Sequence, residues 1–152
     1  MCRPLFSLLI GMFLSSCTGN TLYHHYQSLP AEGWERRDTV CFELPRQEKD
    51  IRGTLFIGLC TTAQVGFRDI VLAVEQCDEM SNVCRRDTVR YQLTNAEGDA
   101  LGKGVNIHQY ETQQLPIHLP KDQRSTIRIH HLMRHETIYG ITELGIKIDK
   151  TL

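Results

Sequence analysis

The chain of 152 residues has no long hydrophobic run, no excess of basic charge, no sustained helical period and no familiar catalytic motif. Each absence removes a class of protein. The main apolar stretch, Leu5 to Leu14, is too short for a membrane-spanning helix, which needs about 20 residues. A formal charge of −1 without a basic run leaves no electrostatic footprint of a nucleic-acid binder. A period of 3.6 residues is missing, so helices do not organise the fold. There is no Gly-x-Ser-x-Gly elbow and no His-Glu-x-x-His pattern. The adjacent pairs His24-His25 and His130-His131 would point to opposite faces of a strand rather than to one metal. His131 and His135 approach each other only if that segment turns helical. Gly102-Lys103-Gly104 lacks the preceding glycine and the following Ser or Thr of a phosphate loop, and reads as a two-glycine turn. The carboxylates Glu43, Glu75, Asp78, Glu79, Glu97 and Asp99 are scattered over different strands and turns. No catalytic residue, metal ligand, nucleic-acid partner or dissociable cofactor is expected, and nothing calls for a small-molecule ligand.

What the sequence has is a processing signal. Arg3 precedes the apolar run, and Leu14-Ser15-Ser16-Cys17 follows it with small residues leading into a cysteine. That order is the lipobox of a bacterial lipoprotein. Residues 1–16 are expected to be removed, leaving 136 residues with a charge of about −2 once Arg3 is lost. The Cys17 thiol would carry a diacylglyceryl group, and its new amine an acyl chain such as palmitate. Each buried CH₂ is worth about 0.8 kcal/mol, so two or three chains anchor the protein irreversibly for practical purposes. The covalent lipid is the only prosthetic group expected, and attachment to the membrane rests on its acyl chains. Thr18-Gly19-Asn20-Thr21 after Cys17 carries no acidic cluster resembling the surface-export signal of some bacterial lipoproteins, and that comparison implies a domain facing the periplasm, from either the inner or the outer membrane.

Four cysteines remain beyond the anchor: Cys41, Cys60, Cys77 and Cys84. Export permits pairing. Cys77 and Cys84 bracket the polar turn Asp78 to Val83 between two strand-like runs, so a hairpin would bring them together as a disulfide. Cys41 with Cys60 is a less constrained pair.

Residues 17–33 read as the lipidated N-terminus and a polar tether, and residues 34–152 as one domain. Val40, Phe42 and Leu44 alternate with polar neighbours, as do Leu55, Ile57 and Leu59, Val89, Tyr91 and Leu93, and Leu144, Ile146 and Ile148. Period two marks half-buried strands. Ile70 to Val74 is apolar on both faces and belongs at the centre of a sheet. Val105 to His108, Gln114 to Leu119 and Thr126 to Met133 add shorter strands, with one short helix conceivable at Leu132 to Glu136. Many short strands separated by Gly, Pro, Asn and Asp predict an all-β domain: a single antiparallel β-sandwich of jelly-roll type. The pentapeptide Arg-Arg-Asp-Thr-Val occurs at Arg36 to Val40 and at Arg85 to Val89, without matching flanks. Tyr23, Tyr26 and Trp34 are candidates for an interaction surface, although Trp34 equally suits an apolar plug at one end of the sandwich.

Three segments in order carry a family resemblance. They are Tyr23 to Leu44 with its Tyr-x-x-Tyr-x-Ser-Leu-Pro, Gly33-Trp34 and Asp-Thr-Val-x-Phe; then Gly98-x-x-Leu101-Gly102-Lys103-Gly104; and last Gly140 to Ile148. Behind a lipobox, this order resembles the gliding-motility lipoproteins of the GldH type from Bacteroidetes. The resemblance implies a non-enzymatic, lipid-anchored envelope component that contacts other motility or secretion proteins, in the set linked to type IX secretion. Only Cys17 carries over as a functional residue. The alternative, from the fold alone, is a glycan-binding or glycan-processing jelly-roll lipoprotein. An aromatic groove with convergent carboxylates would favour that alternative, and a filled sandwich with an apolar patch would favour the first.

Overall fold

The computed structural model describes residues 19–79, 85–111 and 114–151. Eleven strands are present and, among the described residues, no helix. They are β1 (Thr21–Ser28), β2 (Trp34–Glu35), β3 (Val40–Leu44), β4 (Ile51–Thr62), β5 (Asp69–Asp78), β6 (Arg85–Gln92), β7 (Ile107–Glu111), β8 (Leu115–Leu119), β9 (Ser125–His131), β10 (Thr137–Ile138) and β11 (Ile141–Lys150). One sheet runs β1-β11-β4, and β4 is long enough to take β7 along its last residues and β8 along its first. The other runs β3-β9-β5-β6, so β5 is central, as its two apolar faces require. A ribbon of β2 and β10 closes one end. Every strand pairing is antiparallel.

The alternation explains the layers. In β3 the burial reads strictly in–out from Val40 to Leu44, and in β4 the inward set includes Leu55, Ile57 and Leu59, all fully buried. Leu72 and Val74 of β5, Ile127 and Ile129 of β9 and Leu144, Ile146 and Ile148 of β11 meet them in one core cluster. Burying each such side chain contributes about 1.5–3 kcal/mol. The two layers are also joined by polar atoms. Buried Tyr91 of β6 donates its hydroxyl to the Ile57 carbonyl of the opposite sheet at 2.8 Å, and Tyr110 of β7 donates to the Leu93 carbonyl at 2.9 Å. Neither ring enters the core with its hydroxyl unpaired.

Two expectations need correction. Residues 21–28 are not tether: they form β1, paired with β11 from Thr21↔Asp149 to Ser28↔Glu143. The domain therefore begins at Thr21 rather than at Trp34. Residues 132–136 form no helix, and two of their carbonyls are bonded to Arg36 instead. The Met133 carbonyl accepts two bonds from the Arg36 guanidinium, at 2.6 and 3.1 Å, and the Glu136 carbonyl accepts from the Arg36 amide at 2.7 Å.

Candidate functional site

The strands give the sandwich two distinct ends. At one lie Thr21, Leu44, Ile51, Leu119, Ser125 and Lys150; at the other lie Ser28, Trp34, Thr62, Ile107, His131 and Ile141.

The Thr21 end is built from charged turns. Arg46, after β3, reaches both carboxylate oxygens of Glu79. Asp122 holds the left-handed conformation at the β8–β9 turn, with its amide bonded to the Gln47 carbonyl at 2.8 Å. Asp50 accepts the Lys121 amide at 2.9 Å. The hairpin of β5 and β6 opens at this end. Cys77 there is disulfide-bonded; Cys84 lies outside the described residues, as do residues 1–16 and Cys17. Cys41 is free and exposed, while Cys60 is free and buried. Burial beside Glu143 pushes the Cys60 thiol pKa up.

The Trp34 end has a buried aromatic plug, with the Arg36–Glu136 and Arg37–Glu35 ion pairs on the surface beside it. Trp34 is 1 % exposed, and its indole N–H donates to the Asp38 carbonyl at 2.9 Å. The His131 ring meets it edge-on at 5.3 Å, with Nε2 at 3.2 Å from the Trp34 carbonyl oxygen. His131 is fully buried, its Nδ1 has no hydrogen-bond partner among the described residues, and burial lowers its pKa. The exposed large hydrophobic side chains among the described residues, Leu101, Val105, Ile107, Leu132 and Tyr139, come from strand ends and loops on this side of the fold. Their placement follows from the pairing. Ile107 opposes Thr62, the last residue of β4. Leu101 is tied to Leu93, which is tied in turn to Arg68 in the loop after β4. Leu132 follows the last residue of β9, and Tyr139 lies between β10 and β11. Val105, 85 % exposed, sits beyond a turn that only glycine fits, since a side chain on Gly104 (φ 132°) would strike the Ile107 carbonyl. A cleft of about 380 Å³ beside Leu101 is lined by Arg90, Tyr91, Lys103, Tyr110 and Glu111.

These facts redistribute the expected surface of Tyr23, Tyr26 and Trp34. Trp34 is the plug and not a platform. Tyr23 is half-buried and packs against the core. Tyr26 lies flat on the outer face of its sheet over Gly145 of β11 and Gly58 of β4, which share its register row. A side chain at either glycine would overlap the ring, and the phenol oxygen accepts a bond from Gln109 Nε2 at 2.9 Å. The opening and closing sequence motifs thus meet as neighbours in one sheet, where an aromatic ring covers glycine gaps. The apolar rim was missed from sequence because its members come from three separate loops. The alternation of Val105 with Ile107 was its one visible sign.

The outer face of the other sheet carries an ion-pair row. Glu75, 9 % exposed, is bonded by the Arg86 guanidinium, with Arg128 at 3.9 Å. Arg86 holds the Glu75 carboxyl below its usual pKa. Among the described residues, no group of three or more His, Cys, Asp or Glu side chains is placed to hold a metal ion.

Comparison with known proteins points one way. A gliding motility lipoprotein, GldH, of Flavobacterium johnsoniae is 24 % identical over 153 residues, covering 94 % of this chain and 93 % of that protein. Among solved structures, a CocE/NonD family hydrolase from Staphylococcus aureus aligns at a TM-score of 0.46 and 11 % identity, over 85 % of this chain and 33 % of its own. The Eiger TNF structure from S. frugiperda aligns at 0.39 and 9 %, over 88 % of each chain. Neither score carries weight for fold or function. The family model for the GldH lipoprotein matches residues 21–148, essentially the whole described sandwich, and the chain belongs to that family.

Proposed function

We propose that this chain is a lipid-anchored envelope lipoprotein, acylated on Cys17 after removal of residues 1–16, that serves gliding motility or the secretion coupled to it. It acts without catalysis, through contact with other envelope proteins on the periplasmic side. Cys77 pairs with Cys84 and pins the β5–β6 hairpin. The lipobox and the family membership support the anchor.

The observation that carries the contact role is that Leu101, Val105, Ile107, Leu132 and Tyr139, the exposed large hydrophobics among the described residues, come from strand ends and loops on the Trp34 side of the fold. Single exposed apolar residues are ordinary, whereas a cluster at one end marks an interaction site. The glycan alternative fits less well. In the cleft, Tyr91 and Tyr110 are buried with their hydroxyls bonded, and Glu111 is the one carboxylate among the lining residues.

A strain carrying Val105→Asp with Ile107→Asp tests this. Both side chains are exposed, so stability should stay within about 0.5 kcal/mol of the parent. The acylated variant should lose its partners in a crosslinked pull-down, and the colonies should stop spreading. Normal spreading and secretion by that strain, or by a deletion strain, would overturn the role.

A further inference from the structure

The start of β1 fixes how the domain meets a membrane. Only Thr18, Gly19 and Asn20 separate Cys17 from Thr21. At about 3.6 Å per residue, the four steps from Cys17 to Thr21 span at most about 14 Å. The far end of that span is not free. The Asn20 carbonyl accepts the Lys150 amide at 2.8 Å, so the chain is already part of the sheet there. The polar layer of one leaflet takes up about 5–8 Å of the same distance.

We infer that the Thr21 end of the sandwich is seated on the phospholipid headgroups, with the strands upright and the Trp34 end held away from the bilayer. This rests on acylation of Cys17. The chemistry of that end fits a headgroup surface. It carries no exposed large hydrophobic residue among those described, so it does not insert. Its cations are brought together by the fold rather than by a run in the sequence. Arg46 is engaged by Glu79 and Lys121 by Asp122. Lys49, Arg52, Arg124 and Lys150 are exposed and, among the described residues, make no side-chain ion pair, so they are available to lipid phosphates beside the exposed carboxylates Glu48 and Asp50. The ten residues of β11 rise about 3.4 Å each, which puts the apolar rim roughly 30 Å further out. It therefore cannot reach the same leaflet and is presented to a neighbour above it.

The full-length acylated protein in vesicles of phosphatidylethanolamine and phosphatidylglycerol decides the matter. Hydrogen exchange should slow several-fold across 45–52 and 120–124 on transfer from detergent to vesicles, and stay unchanged across 101–107. Trp34 is the one tryptophan in the chain, so energy transfer from it to dansyl-labelled headgroups reads the height of the far end directly. Transfer should be weak, and should rise when twelve Gly/Ser residues inserted after Thr18 free the domain to tilt. Strong transfer in the parent protein, or protection at 101–107 instead of 45–52, would overturn the upright seat while leaving the anchor intact. An unmodified N-terminus by mass spectrometry, with no vesicle association, would instead overturn the acylation on which it rests. Lys49→Glu with Arg52→Glu and Arg124→Glu should abolish the slowed exchange without detaching the protein; retained protection would show that lipid phosphates are not what the end meets.

Discussion

The two ends of this sandwich solve the same problem, covering the open edges of a core, in different ways, although both carry ion pairs at the surface. The Thr21 end closes with polar turns, and its buried interior stops at Leu44, Ile51 and Leu119 beneath charged loops. The Trp34 end closes with an indole, a buried imidazole and a two-stranded ribbon, and then leaves five large apolar side chains in water. The asymmetry fits the proposed arrangement, in which the protein is held at one end and contacted at the other.

The comparison breaks most visibly at the plug. Trp34→Ala leaves a cavity beneath the ribbon and orphans the Asp38 carbonyl, so unfolding in urea should show a loss of about 3–5 kcal/mol. A loss below about 1 kcal/mol would mean that the ribbon, not the indole, closes that end. At the opposite end the largest single effect should come from the proposed Cys77–Cys84 disulfide. A closed loop that short contributes about 2.5 kcal/mol in the chain-entropy account, so Cys84→Ser should lower stability by roughly that amount. An unchanged urea midpoint would remove the disulfide from the stability of that end.

Between the ends, the glycine-lined row under Tyr26 sharpens the contrast. Gly145→Val must displace the ring and break the bond from Gln109 to the phenol, at a cost of about 1–3 kcal/mol. Tyr26→Ala combined with Gly145→Val should recover part of that loss, because the new side chain then fills the vacated groove. If the double variant is as unstable as the sum of the singles, the ring and the glycine are not coupled.

These regions also show what the sequence could and could not disclose. The core strands were legible because one face of each is buried and period two survives, as in Val40, Phe42 and Leu44. β1 was not, because it is an edge strand over glycines. Its side chains are exposed or half-buried on both faces, and Tyr-His-His-Tyr carries no alternation. The repeated Arg-Arg-Asp-Thr-Val makes the same point from the other side. Arg36 and Arg37 form a turn, and Asp38 and Thr39 lead irregularly into Val40 of β3, whereas Arg85 to Val89 lie wholly within β6, so four of the five shared residues take a different secondary structure. The exposed apolar residues were beyond reach for a further reason. Leu101, Leu132 and Tyr139 are far apart in the chain, and only strand order brings them to one end. The anchor, by contrast, is a linear signal and needed no fold.

The smallest expected effect probes the plug without altering its shape. Burial lowers the His131 pKa from its ordinary value of 6.5, since a second ring proton would put a positive charge away from water. A base that resists protonation when folded and accepts it when unfolded makes the unfolded state bind more protons at low pH. Stability contributed by neutral His131 is therefore complete above pH 6.5 and declines as pH falls from there toward the folded-state pKa. The slope from one such group cannot exceed about 1.4 kcal/mol per pH unit. Glu75 titrates in a separate window. Its pKa is held below 4.5 by Arg86, so its contribution is present above pH 4.5 and is lost only as pH falls further. Urea unfolding between pH 7.5 and 5 should thus report His131 and not Glu75. His131→Gln should flatten that part of the profile even though it lowers stability at pH 7.5, and Glu75→Gln should leave its slope unaltered. If His131→Gln shifts the whole curve down with the slope retained, the imidazole is a packing element alone and the Trp34 end does not loosen on acidification.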